Sequence, residues 1–223
     1  MAQYMIHAYP KRMWYVENYL IPSMLEQGIE ENQITVYNDT EKKGNLKACM
    51  DAFSQCVADG GTWHLQDDVC ICRDFKQRTE EFDDGIVCGF SSAMYDGTDA
   101  AKLGKVTLEN MWFSFPCIRI PNDYAINCAE WVLKYLIGNP VYRVYWEPGV
   151  NDDWSFRQYL RTCHKNVTAI NLAPNLVDHV DYLLGGGSGK QRTTPCRSQY
   201  WDDKERIRQL EVKIKCGMQY QTS

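Results

Sequence analysis

Asp67 and Asp68 stand side by side at the end of a short apolar run, in the stretch TWHLQDDVCICRDF over residues 62–75. The run reads as a β-strand. Strands of an open α/β sheet deliver side chains to the crevice beyond their carboxyl ends, where such folds bind ligands. Two bare carboxylates held together repel each other, and keeping both ionised is costly unless a cation sits between them. The pair therefore points to a divalent metal held by hard oxygen ligands and poised to take phosphate. The alternative is two acids that merely end a strand in a turn. Cys70 and Cys72 follow as a C-x-C, and alternation puts both on one face of an extended segment. Small buried hydrophobes are the better reading of these two, and no CxxC pair supports a zinc finger.

The elements that must position the acidic pair follow from periodicity and punctuation. Residues 5–9 read as a first strand, ended by Pro10, and residues 12–27 as a helix stopped by Gly28. Pro22 should kink or divide that helix. Residues 33–37 read as a second strand, followed by a polar turn through Gly44. Asn45 can cap a helix over residues 46–58, where Leu46, Met50, Phe53 and Val57 recur at helical spacing. Gly60-Gly61 breaks it before the acidic strand. A β-α-β-α-β order predicts a largely parallel sheet with right-handed crossovers. Further strands are expected over residues 86–90, 111–120 and 167–172. Helices are expected over 122–136, capped by Asn122 or Asp123, over 153–163, and over 201–216.

With 223 residues, 44% hydrophobic and 13% aromatic, the chain can bury one substantial core. No apolar run approaches the roughly 18 residues that a membrane span needs. The first residues lack the pattern of a signal peptide, so a cytoplasmic location and reduced thiols are expected for the ten Cys. A net charge of −5 argues against general nucleic-acid affinity, although a local basic patch is compatible with it. Lys190, Arg192, Arg197, Lys204, Arg206 and Arg208 gather late in the chain, where Asp202, Asp203 and Glu205 dilute them. A solvated charged helix is the simplest account of that segment.

HLQDDV resembles the acidic metal-binding motif of nucleotide-sugar-dependent glycosyltransferases of the GT-A fold, written DxD or EDD in that family. MIHAYPKRMWYVENYLIPSMLEQGI is similar to the family's first strand, Pro-x-Arg loop and first helix. ITVYNDTEKKGNLKACMDAF is similar to the second strand ending in Asp, with a Gly-containing turn into a helix. NLAPNLVDHVDYLLGGGS resembles the late segment that supplies a metal-binding His and a loop over the diphosphate. Four motifs in the family's order cover roughly residues 4–192. The resemblance implies an α/β fold, a GT-A-type Rossmann-like α/β/α sandwich with a mostly parallel central sheet. It occupies residues 1–200, and residues 201–223 form a helical extension packed on the same domain.

The same resemblance assigns roles. Asp68, with Asp67 and His179, would hold Mn²⁺ or Mg²⁺. Gln66 stands where many members carry the first acid, which places the metal duty on Asp68 and leaves Gln66 as a donor contact. Arg12 after Pro10, then Asn38, Asp39, Lys43, Gly44 and Asn45, fall where the family holds the nucleotide; Asp39 as a simple turn former is the alternative. His7 is expected at the mouth of that pocket and His64 in the core. GGGSGKQR is not a Walker motif, because Leu184 replaces the first Gly and Gln191 the Ser/Thr. It suits a flexible cover from which Lys190 or Arg192 meets the diphosphate, or an ordinary loop. Asp152-Asp153 opens a helix, either as caps or as the general base of an inverting transfer, with Asp153 favoured.

The expected activity is transfer of a sugar from a nucleotide diphosphate sugar, with UDP-sugars first, to an acceptor hydroxyl. Small stand-alone enzymes of this kind from bacteria and phages include some that decorate hydroxymethylated bases in DNA. DNA is therefore one acceptor class beside protein, glycan and lipid-linked acceptors. A nucleotidyltransferase is the alternative enzyme, although AYPKRMW lacks the glycine expected after its first strand. A non-catalytic nucleotide-sugar-binding module is the third reading.

Overall fold

The computed structural model describes residues 2–57, 59–90, 104–107, 115–136, 152–172, 174–184 and 204–221. Strand β1 (Gln3–Ala8) alternates as its sequence demands: Tyr4, Ile6 and Ala8 enter one apolar cluster, and His7 faces the other way onto Phe53. Pro10 opens a 3-10 turn, Pro10–Arg12, that leads into α1 (Met13–Tyr15). The helix is divided, as Pro22 led one to expect. A π-helical segment, Val16–Leu20, intervenes before α2 (Ile21–Glu26). Pro22 has no N–H to give to the preceding turn, and the wider π turn absorbs the loss. Gly28 then stops the chain with φ 79°.

Strand β2 (Ile34–Asn38) leads to α3 (Asn45–Ser54), which buries Leu46, Cys49, Met50 and Phe53. Here Gly44 at φ 85°, not Asn45, is the capping residue; Asn45 is already helical. The helix also ends earlier than its apolar spacing suggests, and Val57 is left 77% exposed. Strand β3 (Gly61–Gln66) follows, then β4 (Val69–Ile71), α4 (Phe75–Glu80), β5 (Ile86–Cys88), β6 (Gly104–Thr107) and β7 (Cys117–Pro121). Next come α5 (Asn122–Trp131), continued by a π segment, Val132–Leu136, and α6 (Asp152–Cys163). Strands β8 (Thr168–Asn171) and β9 (Val177–His179), α7 (Asp181–Leu184) and α8 (Lys204–Gln221) complete the described elements. Asn122 does not cap α5. Its side chain accepts from Thr62 Oγ1 at 2.8 Å and donates to the carbonyls of Val57 and Asp59.

The main sheet has the order β2-β1-β3-β7-β5-β8-β6. β1 pairs in parallel with β2 and β3, as β5 does with β8. β7 enters antiparallel between β3 and β5, and β6 is antiparallel on β8. The fold is thus α/β with a mixed sheet in which most strands share one direction. A second, two-stranded sheet pairs β4 with β9. Trp63, Leu65, Val87 and Cys117 pack on one face with Tyr15, Leu20, Met24 and Phe75, and with Ile207, Leu210 and Ile214 of α8. Ile86, Cys88, Ile118 and Ile120 pack on the other with α3, α5 and α6. Helices therefore flank both faces. No helix among the described residues is long and apolar enough to cross a membrane.

Candidate functional site

The order β2-β1-β3 makes β1 a point of reversal, because the chain leaves it to one side for β2 and returns on the other for β3. Crevices for ligands open beyond the carboxyl ends of strands at such a point. The register His7↔Gln66 brings the ends of β1 and β3 level, so Asp67 and Asp68 emerge beside Tyr9. The Tyr9 N–H donates to Asp67 Oδ2 at 2.6 Å. Arg12, at the end of its 3-10 turn, is 9% exposed and donates from Nη1 to Asp67 Oδ1 at 2.8 Å and Asp68 Oδ2 at 2.5 Å. Sequence reasoning placed Arg12 on the nucleotide; the structure places it on the acidic pair.

His179 arrives from the far end of the chain. The turn after β3 runs straight into β4, whose register Val69↔His179 sets β9 alongside. The Val180 N–H donates to the Asp68 carbonyl at 2.7 Å, and His179 Nε2 lies 2.9 Å from Asp68 Oδ1. Behind it, His179 Nδ1 is 3.8 Å from Asp181 Oδ1. Asp181 was not singled out in the sequence, although a carboxylate two residues from a candidate ligand His is a readable signal for an orienting partner. Arg78 was missed as well. It donates to the carbonyls of Pro174 and Asn175 and fastens the segment that carries His179.

Burial and charge split the two carboxyls. Burial and the charge of Asp68 raise Asp67, against the pull of Arg12. Burial acts the same way on Asp68, but His179 and Arg12 outweigh it and hold that carboxyl below the usual range. Asp68 is thus the stronger acid of the two.

Among the described residues, no three His, Cys, Asp or Glu side chains form a ready-made metal cage. Asp68 and His179 nevertheless present two donor atoms at about the 3 Å separation of neighbouring ligands bound ~2.1 Å from one octahedral ion. Mg²⁺ and its like keep waters and take phosphate oxygens instead of requiring an all-protein cage. The residues present therefore fit an ion held by Asp68 and His179 and completed by phosphate. Asp67, with one oxygen on Tyr9 N–H and the other on Arg12, is committed elsewhere.

On the nucleotide side, Asp39 turns inward. Its carboxylate accepts from the Lys43 N–H at 2.9 Å and the Gly44 N–H at 3.3 Å, so it builds the turn it sits in. Lys43 Nζ is paired with Asp51 at 2.6 Å and Glu41 at 3.1 Å. Asn45 and Gly44 are exposed at the start of α3, and Pro10 and Gln66 are half-buried at the ends of their strands. Asn38 Oδ1 is buried and accepts no hydrogen bond, an arrangement that favours a donor from outside. His7 does not face this pocket. Its Nε2 lies 2.9 Å from His64 Nδ1, and burial pulls it down to about 4.

Asp152 is buried, and Asp153 is half-buried with its carboxylate on the Trp154 N–H at 2.7 Å. Burial raises Asp152 to about 7, with further contributions from Asp153 and from Asp68. Asp152, unlike the favoured Asp153, is raised in small part by the charge of Asp68. Cys70 and Cys72 are buried, and burial pushes Cys72 up to about 12, the state of an inert structural thiol. Lys190, Arg192 and the glycine-rich loop lie outside the described residues.

No protein-family model matches the chain, and no curated protein matches it.

Proposed function

We propose that the chain is a metal-dependent glycosyltransferase of the GT-A type that moves a sugar from a nucleotide diphosphate sugar, UDP-sugars first, to an acceptor hydroxyl. The observation that carries this reading is the meeting of Asp68 and His179 at 2.9 Å, from distant segments of the sequence, at the point where the strand order reverses. When bound, Mn²⁺ or Mg²⁺ supplies Lewis-acid stabilisation for charge that builds on a departing diphosphate. Asp68 and His179 would hold the ion, with Asp181, 3.8 Å from the imidazole Nδ1, as the carboxylate behind the ligand His. Asn38 offers its free carbonyl oxygen to the nucleoside. Asp152, held near neutrality by burial, is poised to take the acceptor's proton.

The test is thermal unfolding with UDP-, GDP- and other nucleotide sugars, in Mn²⁺ or Mg²⁺ and in EDTA. A ligand that binds only the native state raises Tm by mass action, so a shift that requires metal is expected and should vanish in Asp68→Asn. Equal shifts with and without metal, or none with any donor, overturn the reading. Donor binding without hydrolysis or transfer would reduce it to a binding module.

A further inference from the structure

Arg12 sits where a cation is needed. Its Nη1 bridges one oxygen of Asp67 and one of Asp68, at 2.8 and 2.5 Å, in a setting where all three side chains are nearly excluded from solvent. The remaining oxygens are held from other directions, Asp67 Oδ2 by the Tyr9 N–H and Asp68 Oδ1 by proximity to His179 Nε2. Arg12 Nη1 already holds Asp68 Oδ2, so a divalent ion on Asp68 must compete with a guanidinium in place there. The ion meets a like charge at close range, which a buried site screens poorly. A diphosphate offers the guanidinium another anionic partner. A guanidinium has five donors in a fork matched to phosphate oxygens, of which Nη1 alone is engaged on the carboxylates.

We infer that Arg12 is a resident counter-cation that couples the two ligands of the site: it opposes divalent metal on its own and turns to the donor's diphosphate when metal and donor bind together. This rests on the metal-dependent reading of the same crevice. It assigns Arg12 a positioning role distinct from the nucleoside contact expected of it. The ion alone meets the guanidinium and the donor alone meets the two carboxylates, while bound together each relieves the other, so each raises the other's affinity reciprocally. Arg12 thereby keeps the site from filling with metal before a donor is present.

The test measures Mn²⁺ binding by the loss of the free-ion electron paramagnetic resonance signal, with and without UDP. The proteins are the native chain, Arg12→Lys, Arg12→Met, and Arg12→Met combined with Asp67→Asn. The double variant removes one positive and one negative charge, so it separates occupancy of the site from simple charge repulsion. It also keeps the experiment decisive if Arg12→Met alone does not fold. In the native chain, UDP should tighten Mn²⁺ by at least about tenfold, within the usual range of site-to-site coupling. The double variant should bind Mn²⁺ alone about tenfold tighter than the native chain, with UDP adding correspondingly less. Arg12→Lys, which keeps a cation at the acids, should retain the native coupling. Mn²⁺ affinity in the double variant that is unchanged, or that rises equally with and without UDP, overturns the role of Arg12. Failure of the native chain to bind Mn²⁺ even with UDP overturns the metal-dependent reading itself, a separate outcome.

Discussion

Arg12 and Arg119 are both buried, and they serve opposite ends of the central strand β3. Arg119, on β7, donates to the carbonyls of Gly85 at 2.7 Å and Asp83 at 2.5 Å, over Gly61 at the start of β3. Arg12, beyond its other end, faces two carboxylates. Burial lowers Arg119, whereas Asp68 and Asp67 overcome burial and raise Arg12. Carbonyls are neutral parts of a fixed backbone, so the bonds of Arg119 cannot be exchanged for a ligand without unfolding something. Carboxylates can change partners while the backbone stays in place. The same residue type is therefore a structural clamp at one end of the sheet and a cation with exchangeable partners at the other.

The contrast is sharpest where losses of function and of stability should separate. At the crevice end, Asp152→Asn should lower the transfer rate about 10²–10⁴-fold, as loss of a general base does, with donor binding near native. A fall in donor affinity with the fold intact would remove Asp152 from the chemistry. The same substitution should alter stability in the opposite sense. The folded carboxyl lies at about 7, above its unfolded value, so its contribution is complete below the unfolded value and is lost as pH rises toward and through 7. At pH 8, Asp152→Asn should be more stable than the native chain by about 1–3 kcal/mol, and about equal to it near pH 4. Urea unfolding at the two pH values measures this, and a difference of the opposite sign would break the assignment.

At the far end, Arg119→Met should destabilise by about 1–3 kcal/mol, because the part-buried carbonyls of Gly85 and Asp83 lose a charged donor. Metal and nucleotide affinity of the folded protein should not move, and calorimetric titration with UDP and Mn²⁺ checks that. Gly61→Ala should act in the same direction, since its Cβ would lie 2.5 Å from Arg119 Nη2. An affinity loss in Arg119→Met would mean that the two ends are not independent. The smallest effect falls to Asp181→Asn, which should weaken Mn²⁺ binding about 10-fold through the orientation of His179 while leaving stability nearly unchanged. No change there would show that His179 needs no orienting carboxylate.

Much of the fold around the candidate site was legible in the sequence where local rules apply. The strand before Asp67, the break at Gly28, the division of a helix at Pro22 and the burial of Leu46, Met50 and Phe53 follow from alternation, helical spacing and punctuation. At other positions the sequence offers two partners of equal standing, near or distant. Asp39 could equally hold a ligand or its own turn, and two backbone N–H groups decided for the turn. Asn122 was an apt helix cap, yet Thr62, Val57 and Asp59 drew its side chain away. The antiparallel entry of β7 could not be read either, since an apolar strand carries no mark of its direction.

The sequence alone determined that two acids end a buried strand, that helices alternate with the early strands, and which faces are apolar, because these depend on neighbours within a turn or a pleat. Only the tertiary structure decided that Arg12 pairs with those acids, that the pairing of β4 with β9 sets His179 against Asp68, and that Asp152 is buried deeply enough to be raised. Contacts between distant segments are fixed by sheet register and by the burial of charge, and neither quantity exists until the chain has closed on itself.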